Sequence, residues 1–100
     1  MVRWSFPAKE DLRRIHDYIA IDSKFYAKKI SQDIVEKTEK LNDFPKCGRV
    51  VPETGDPNIR EIIIYSYRLV YEIYPTVTEI LGIIHGKQDF SSAEFNTLRK

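Results

Sequence analysis

Cysteine is all but absent from this chain: Cys47 stands alone among 100 residues, so no disulfide can form within the molecule. One cysteine and two distant histidines, His16 and His85, also leave no ligand set for a structural zinc. No metal or other cofactor is called for by any motif. Charge of one sign is equally scarce. The formal net charge is +1, too little for a strongly basic nucleic-acid binder, so any polyanion would have to be met by a local patch. No apolar run approaches the ~20 residues that cross a bilayer. The opening Met1-Val2-Arg3-Trp4-Ser5-Phe6-Pro7 lacks the apolar stretch of a signal peptide. Together with the lone thiol, these absences predict a cytoplasmic protein. Repeats and low-complexity tracts are missing too, and 100 residues form one domain, 1–100, able to bury a modest core.

Glycine and proline are few, and they cluster. Pro45, Gly48, Pro52, Gly55 and Pro57 fall together, which marks Phe44–Pro57 as the one real loop, with a brief extended piece at Arg49–Val51. Before it, Val2–Ser5 reads as a short strand. Ala8, Leu12, Ile15 and Ile19 then recur at helical spacing, predicting an amphipathic helix from Ala8 to about Ile21 with Pro7 at its start. Ser23 caps a second helix that runs to about Asp43, with Ala27, Ile30, Ile34, Thr38 and Leu41 on its apolar stripe. The break between them is so short that the helices form a hairpin.

After the loop come three strands, Ile59–Ile64, Tyr67–Tyr74 and Val77–His85, separated by turn-length Tyr65-Ser66 and Pro75-Thr76. Sequential hairpins make these strands antiparallel neighbours. Ser91-x-x-Glu94 opens a last short helix carrying Phe95 and Leu98. The predicted class is therefore α+β: a small, mainly antiparallel sheet in the order β-α-α-β-β-β, with a two-helix hairpin on one face. In the middle strand Tyr67, Leu69, Tyr71 and Ile73 suit the helices, which leaves Arg68, Val70 and Glu72 on the other face. The orientation of the last strand stays open, because Gly82 can mark a bulge that shifts its register.

The order of elements, together with several local strings, resembles the RelE/ParE superfamily of type II toxins. The strings are Trp4-Ser5 with Ala8 and Asp11-Leu12; Gly48-Arg49-Val50-Val51-Pro52-Glu53; Ile59-Arg60-Glu61; Tyr67-Arg68-Leu69-Val70-Tyr71-Glu72-Ile73; and Ile80-Leu81-Gly82-Ile83-Ile84-His85-Gly86-Lys87. The resemblance implies a growth-inhibiting toxin of a toxin–antitoxin module, of the kind that stabilises plasmids, neutralised by direct binding of a cognate antitoxin in a hetero-oligomer. The Val-Pro-Glu, Ile-Arg-Glu and His-Gly-x-x-Asp strings look like the ParE branch, whose members poison DNA gyrase without chemistry of their own. The Arg-Leu-Val-Tyr string and the late histidine are also similar to YoeB-type nucleases, which cut mRNA on the ribosome.

On the nuclease reading, the resemblance maps catalysis onto Glu53, Arg68 and His85, as base, phosphorane stabiliser and acid, with no metal required. Arg49, Arg60 and Lys87 would then hold phosphates or the target. Gly86 stands where a YoeB-type site has a tyrosine. Simpler roles fit the same residues: Arg68 suits a cross-strand pair with Glu61 or Glu72, and Glu53 suits a solvated loop. For the antitoxin, the expected contacts are Leu12, Ile15, Ile19, Phe25 and Tyr26 on the helical layer, together with a strand-addition edge. Arg68 is expected to lie open in a cationic patch on the face away from the helices.

Overall fold

The computed structural model describes residues 1–85. The helix expected after Ser91 and the cation Lys87 lie outside them. The elements are β1 (Val2–Trp4), α1 (Phe6–Ala20), α2 (Lys24–Glu39), β2 (Arg49–Val50), β3 (Ile59–Ile64), β4 (Tyr67–Ile73) and β5 (Thr78–His85), with single 3-10 turns at Lys40–Asn42 and Pro45–Cys47. Helix α1 begins two residues before the expected Ala8 because Ser5 is its cap: the Ser5 hydroxyl accepts from the Ala8 N–H at 3.2 Å, and Pro7 sits in the first turn. Ser23 caps α2 in the same way, through the Tyr26 N–H.

The sheet runs β1-β5-β4-β3-β2. The hairpins β3–β4 and β4–β5 are antiparallel, while β1 lies at one edge, parallel to β5. The helices cover one face, and the core there joins Ala8, Ile34 and Leu41 to Ile64, Leu69, Tyr71, Ile80 and Ile83. Val51, Ile59, Val70 and Leu81 form a smaller apolar cluster on the other face.

Ile80 and Ile83 could not both face the helices in a regular strand, since positions three apart point opposite ways. A bulge resolves this. Val70 pairs with Gly82 but Tyr71 pairs with Ile80, so Leu81 is the extra residue and points to the far face. The backbone groups along this stretch of β5 find partners on β1 and α1. Asp11 accepts from the Ile83 N–H at 3.0 Å, the Ser5 hydroxyl donates to the Leu81 carbonyl at 3.2 Å, and the Ser5 N–H donates to Ile80 at 3.0 Å. The bulge therefore fixes how α1 docks. At the β3–β4 turn Tyr65 takes a positive φ of 54°, and its hydroxyl donates to Asp33 of α2.

Candidate functional site

Arg68 projects from β4 to the face away from the helices, as its alternation requires, but it is not open. It is 5% exposed, and an alternating chain of charges surrounds it. The guanidinium grips Glu53 as a two-pronged fork, Nη1 to Oε2 and Nη2 to Oε1, both at 2.8 Å. It also donates to Glu61 through Nε at 2.8 Å and Nη2 at 2.6 Å. Glu61 is wholly buried, and its second oxygen takes the Nε of Arg49 at 2.5 Å. Register explains the meeting: Arg68 lies opposite Ile63 and Val70 opposite Glu61, so Arg68 and Glu61 are diagonal neighbours on one face.

The expected open cationic patch is thus corrected. The cost of burying a guanidinium is met by two carboxylates, one from the next strand and one from the loop. The electrostatics follow: hydrogen bonding to Arg68 holds the Glu53 carboxyl below its ordinary range, and the Glu53 fork raises Arg68 further above an arginine's usual value.

The loop that carries Glu53 is held from several sides. The Val51 carbonyl accepts from the N–H groups of Thr54 and Gly55, closing a turn over Glu53, and Gly55 sits at φ 65°, where glycine is favoured. Below it, Tyr71 is buried on the helix side. Its hydroxyl donates to the Pro45 carbonyl at 2.7 Å and accepts from the Gly48 N–H at 3.0 Å. Burial pushes this phenol's pKa up, and the Gly48 hydrogen bond partly offsets the rise. A Cβ on Gly48 would lie 2.5 Å from the Tyr71 hydroxyl and 2.6 Å from the Glu61 carbonyl, so the close approach itself demands glycine. Arg60 spans the same region, donating to Pro57 and Gly48 carbonyls at 2.9 Å.

His85 lies elsewhere. It pairs with Tyr67 across β4–β5, and the two rings meet edge to face with centroids 6.0 Å apart. Tyr67 and Arg68 are consecutive in β4 and point to opposite faces, so the sheet itself separates His85 from the Arg68–Glu53 fork. His85 instead rims a groove of about 930 Å³ between α1 and the ends of β4 and β5. Ile15, Tyr18 and Ile19 of α1 form one wall, and Tyr65, Tyr67 and Ile83 belong to the other.

Of the residues singled out in the sequence, the structure joins Glu53, Arg68 and Arg49 through Glu61 and leaves His85 apart. Arg60 donates through Nε and Nη1 to loop carbonyls. On the helical layer, Leu12 and Ile15 pack against the core, Ile15 and Ile19 line the groove, and Phe25 and Tyr26 form an edge-to-face pair, 73% and 57% exposed, at the start of α2. Two participants stood outside the candidate site residues. Glu61 was visible as a pairing option for Arg68, and Tyr18, 74% exposed on the groove wall, was not singled out. Its position three residues after Ile15 was the available signal.

This architecture has known counterparts. Residues 2–90 match the family model described as the ParE toxin of the type II toxin-antitoxin system, parDE. No curated protein matches the chain. Among solved structures, the chromosomal ParDE toxin–antitoxin system from P. aeruginosa is similar at a TM-score of 0.70 and 25% identity, over 84% of this chain and 92% of that one. The RelBE2 toxin–antitoxin complex from Mycobacterium tuberculosis shares the fold at a TM-score of 0.62 and 22% identity, over 85% and 95% of the two chains. With the family model spanning both the helical hairpin and the whole sheet, this chain belongs to the ParE toxin family of type II toxin–antitoxin systems.

Proposed function

We propose that this toxin is a binding inhibitor of DNA gyrase, restrained by a cognate antitoxin, and performs no covalent chemistry. The observation that carries the reading is the state of the charged set. A nuclease of the mapped kind needs base, cation and acid around one phosphate. Here Glu53 and Glu61 occupy the fork of Arg68, the base is held below its ordinary pKa by that contact, and His85 is on the opposite face. The resident antitoxin is read as an amphipathic helix laid along the α1 groove, where Ile15, Tyr18 and Ile19 offer apolar contacts at helical spacing and the rim is polar.

The test is induction in cells with two readouts. A gyrase poison yields DNA breaks, an SOS response and filamentation while translation continues. Immediate translation arrest with cut mRNA would overturn the proposal in favour of a ribosome-dependent nuclease. His85→Ala sharpens the test, because the side chain is exposed and its loss leaves the core intact: unchanged toxicity is expected.

A further inference from the structure

Helices α1 and α2 are joined by residues 21–23 alone, and the tip of the hairpin they form is apolar and open to water. Ile21 is 80% exposed. Phe25 and Tyr26 meet edge to face in the first turn of α2, and Tyr18 lies one turn before Ile21 on α1. Phe25 stands two positions before the buried Ala27, which puts it on the opposite side of α2 from the core stripe. Four side chains of this size and exposure amount to on the order of 500 Å², at the upper end of what a lone domain leaves uncovered. That is more than half of the roughly 800 Å² per partner that a stable protein pair buries.

The rim of the patch carries both signs of charge. Asp22 follows the last turn of α1, Lys24 and Lys28 occupy the first turns of α2, and all three are exposed. Among the described residues none of the three has an ion-pair partner, whereas Asp17 is met by Arg13 and His16, and Lys29 by Asp33. An acid at one helix end beside bases at the start of the next is complementary to itself under a two-fold axis. Rotation can set Asp22 of one copy against the lysines of the other, and the reverse. A partner charged with one sign only would be repelled by either the acid or the lysines.

We infer that the α1–α2 hairpin tip, centred on Ile21, Phe25 and Tyr26, is the interface of a two-fold homodimer of the free toxin, in which Asp22 of each copy faces Lys24 and Lys28 of the other. This goes beyond the gyrase reading and stands whichever target is inhibited.

The free chain, refolded from denaturant, is followed by sedimentation equilibrium over a wide concentration range. A reversible monomer–dimer equilibrium that stops at the dimer is expected. Phe25→Glu, at an exposed position, should raise the dimer dissociation constant by about tenfold or more while the circular dichroism spectrum stays native. Charge reversal gives the sharper reading. Asp22→Lys alone, or Lys24→Asp/Lys28→Asp alone, sets like charges across the axis and should weaken the dimer. All three together restore opposite pairing and should bring the affinity back. Each reversal suits its helix dipole, so the variants are expected to keep the fold. A chain that stays monomeric at every concentration overturns the inference; if Phe25→Glu then also abolishes toxicity, the tip is the target's docking face instead. A dimer untouched by Phe25→Glu places the interface elsewhere and overturns it as well. Growth of larger species without a plateau, or a triple variant that associates no better than its parents, means unspecific apolar association and has the same consequence.

Discussion

The two faces of the sheet are buried by different means. Under the helices, Leu69, Tyr71, Ile80 and Ile83 meet Ala8, Ile34 and Leu41, and the Tyr71 hydroxyl that enters there has two partners. The opposite face has a smaller apolar cluster beside the run Arg49, Glu61, Arg68, Glu53. The first face depends on shape, and a missing atom costs only what it filled. The second depends on pairing, and a missing charge strands its partner. A residue's burial on the second face is thus a poor guide to its chemical availability: Arg68 has the identity of an anion binder but its fork is filled from within.

The sharpest way to break this contrast is at Arg68. Arg68→Met leaves Glu61 buried with only the exposed Arg49 beside it, and is expected to cost about 3–5 kcal/mol, read as a fall in the urea midpoint at unchanged slope. Adding Glu61→Leu should recover much of that loss, the coupling expected of a charge pair. On the helix face Leu69→Ala is expected to cost about 2–5 kcal/mol, with no second-site substitution of opposite charge able to restore it. If Arg68→Met proved neutral, the far face would be held by its apolar cluster alone. The same pair of variants separates stability from toxicity, since a nuclease would lose activity in the refolded double variant while a binding inhibitor would keep it.

Gly48→Ala probes the junction between the faces, because the added methyl meets the Tyr71 hydroxyl on one side and the Glu61 carbonyl on the other. Overpacking of this kind is expected to cost about 1–3 kcal/mol, visible as a lowered thermal midpoint.

Acid sharpens the comparison from another direction. Glu53 titrates below its ordinary value of 4.5 because Arg68 binds the ionised form. A depressed carboxylate stabilises the fold at pH above the unfolded-state value, and that contribution fades as pH falls through the folded one. Unfolding curves should therefore hold level from neutral pH down to about 5 and weaken below it, and Glu53→Gln should flatten that acid limb. With its side chain 27% exposed, Glu53 is partly screened, so the change is expected to be smaller than that at Arg68.

What could be read from the chain follows the same division. The helix-side face was legible, since periodicity of 3.6 and of 2 marks residues that water excludes, and both helices, the three main strands and the Ser23 cap came through, while the Ser5 cap did not. The Gly82 region was legible only as an irregularity, because a bulge has a signature in glycine but no direction. Arg68 was placed on the correct face and misjudged as open. Alternation gives the direction of a side chain, whereas its exposure depends on Glu53, fifteen residues earlier in a loop whose path Gly48, Tyr71 and Arg60 set jointly. The facing of His85 was open in the sequence for the mirror reason: it sits at a strand end, and its pairing with Tyr67, hidden by the bulge, puts it on the helix side.

The smallest expected effect lies at the turn where the two faces meet. Tyr65 accepts a left-handed backbone and joins the β3–β4 hairpin to α2 through its hydroxyl on Asp33, a contact that raises the phenol's pKa. The ring is more than half exposed, so water replaces most of what Tyr65→Phe removes, and the thermal midpoint should barely move. The substitution keeps the backbone, the ring and its place on the groove wall while leaving Asp33 to Lys29 alone. If the groove is the antitoxin's seat, complex affinity should follow the ring and stay unchanged in Tyr65→Phe, but fall in Tyr65→Gly, which keeps the turn and removes the wall. Equal loss in both would mean that α2 must be tied to the hairpin for the groove to exist, and the helical layer would then be a movable part of the binding surface.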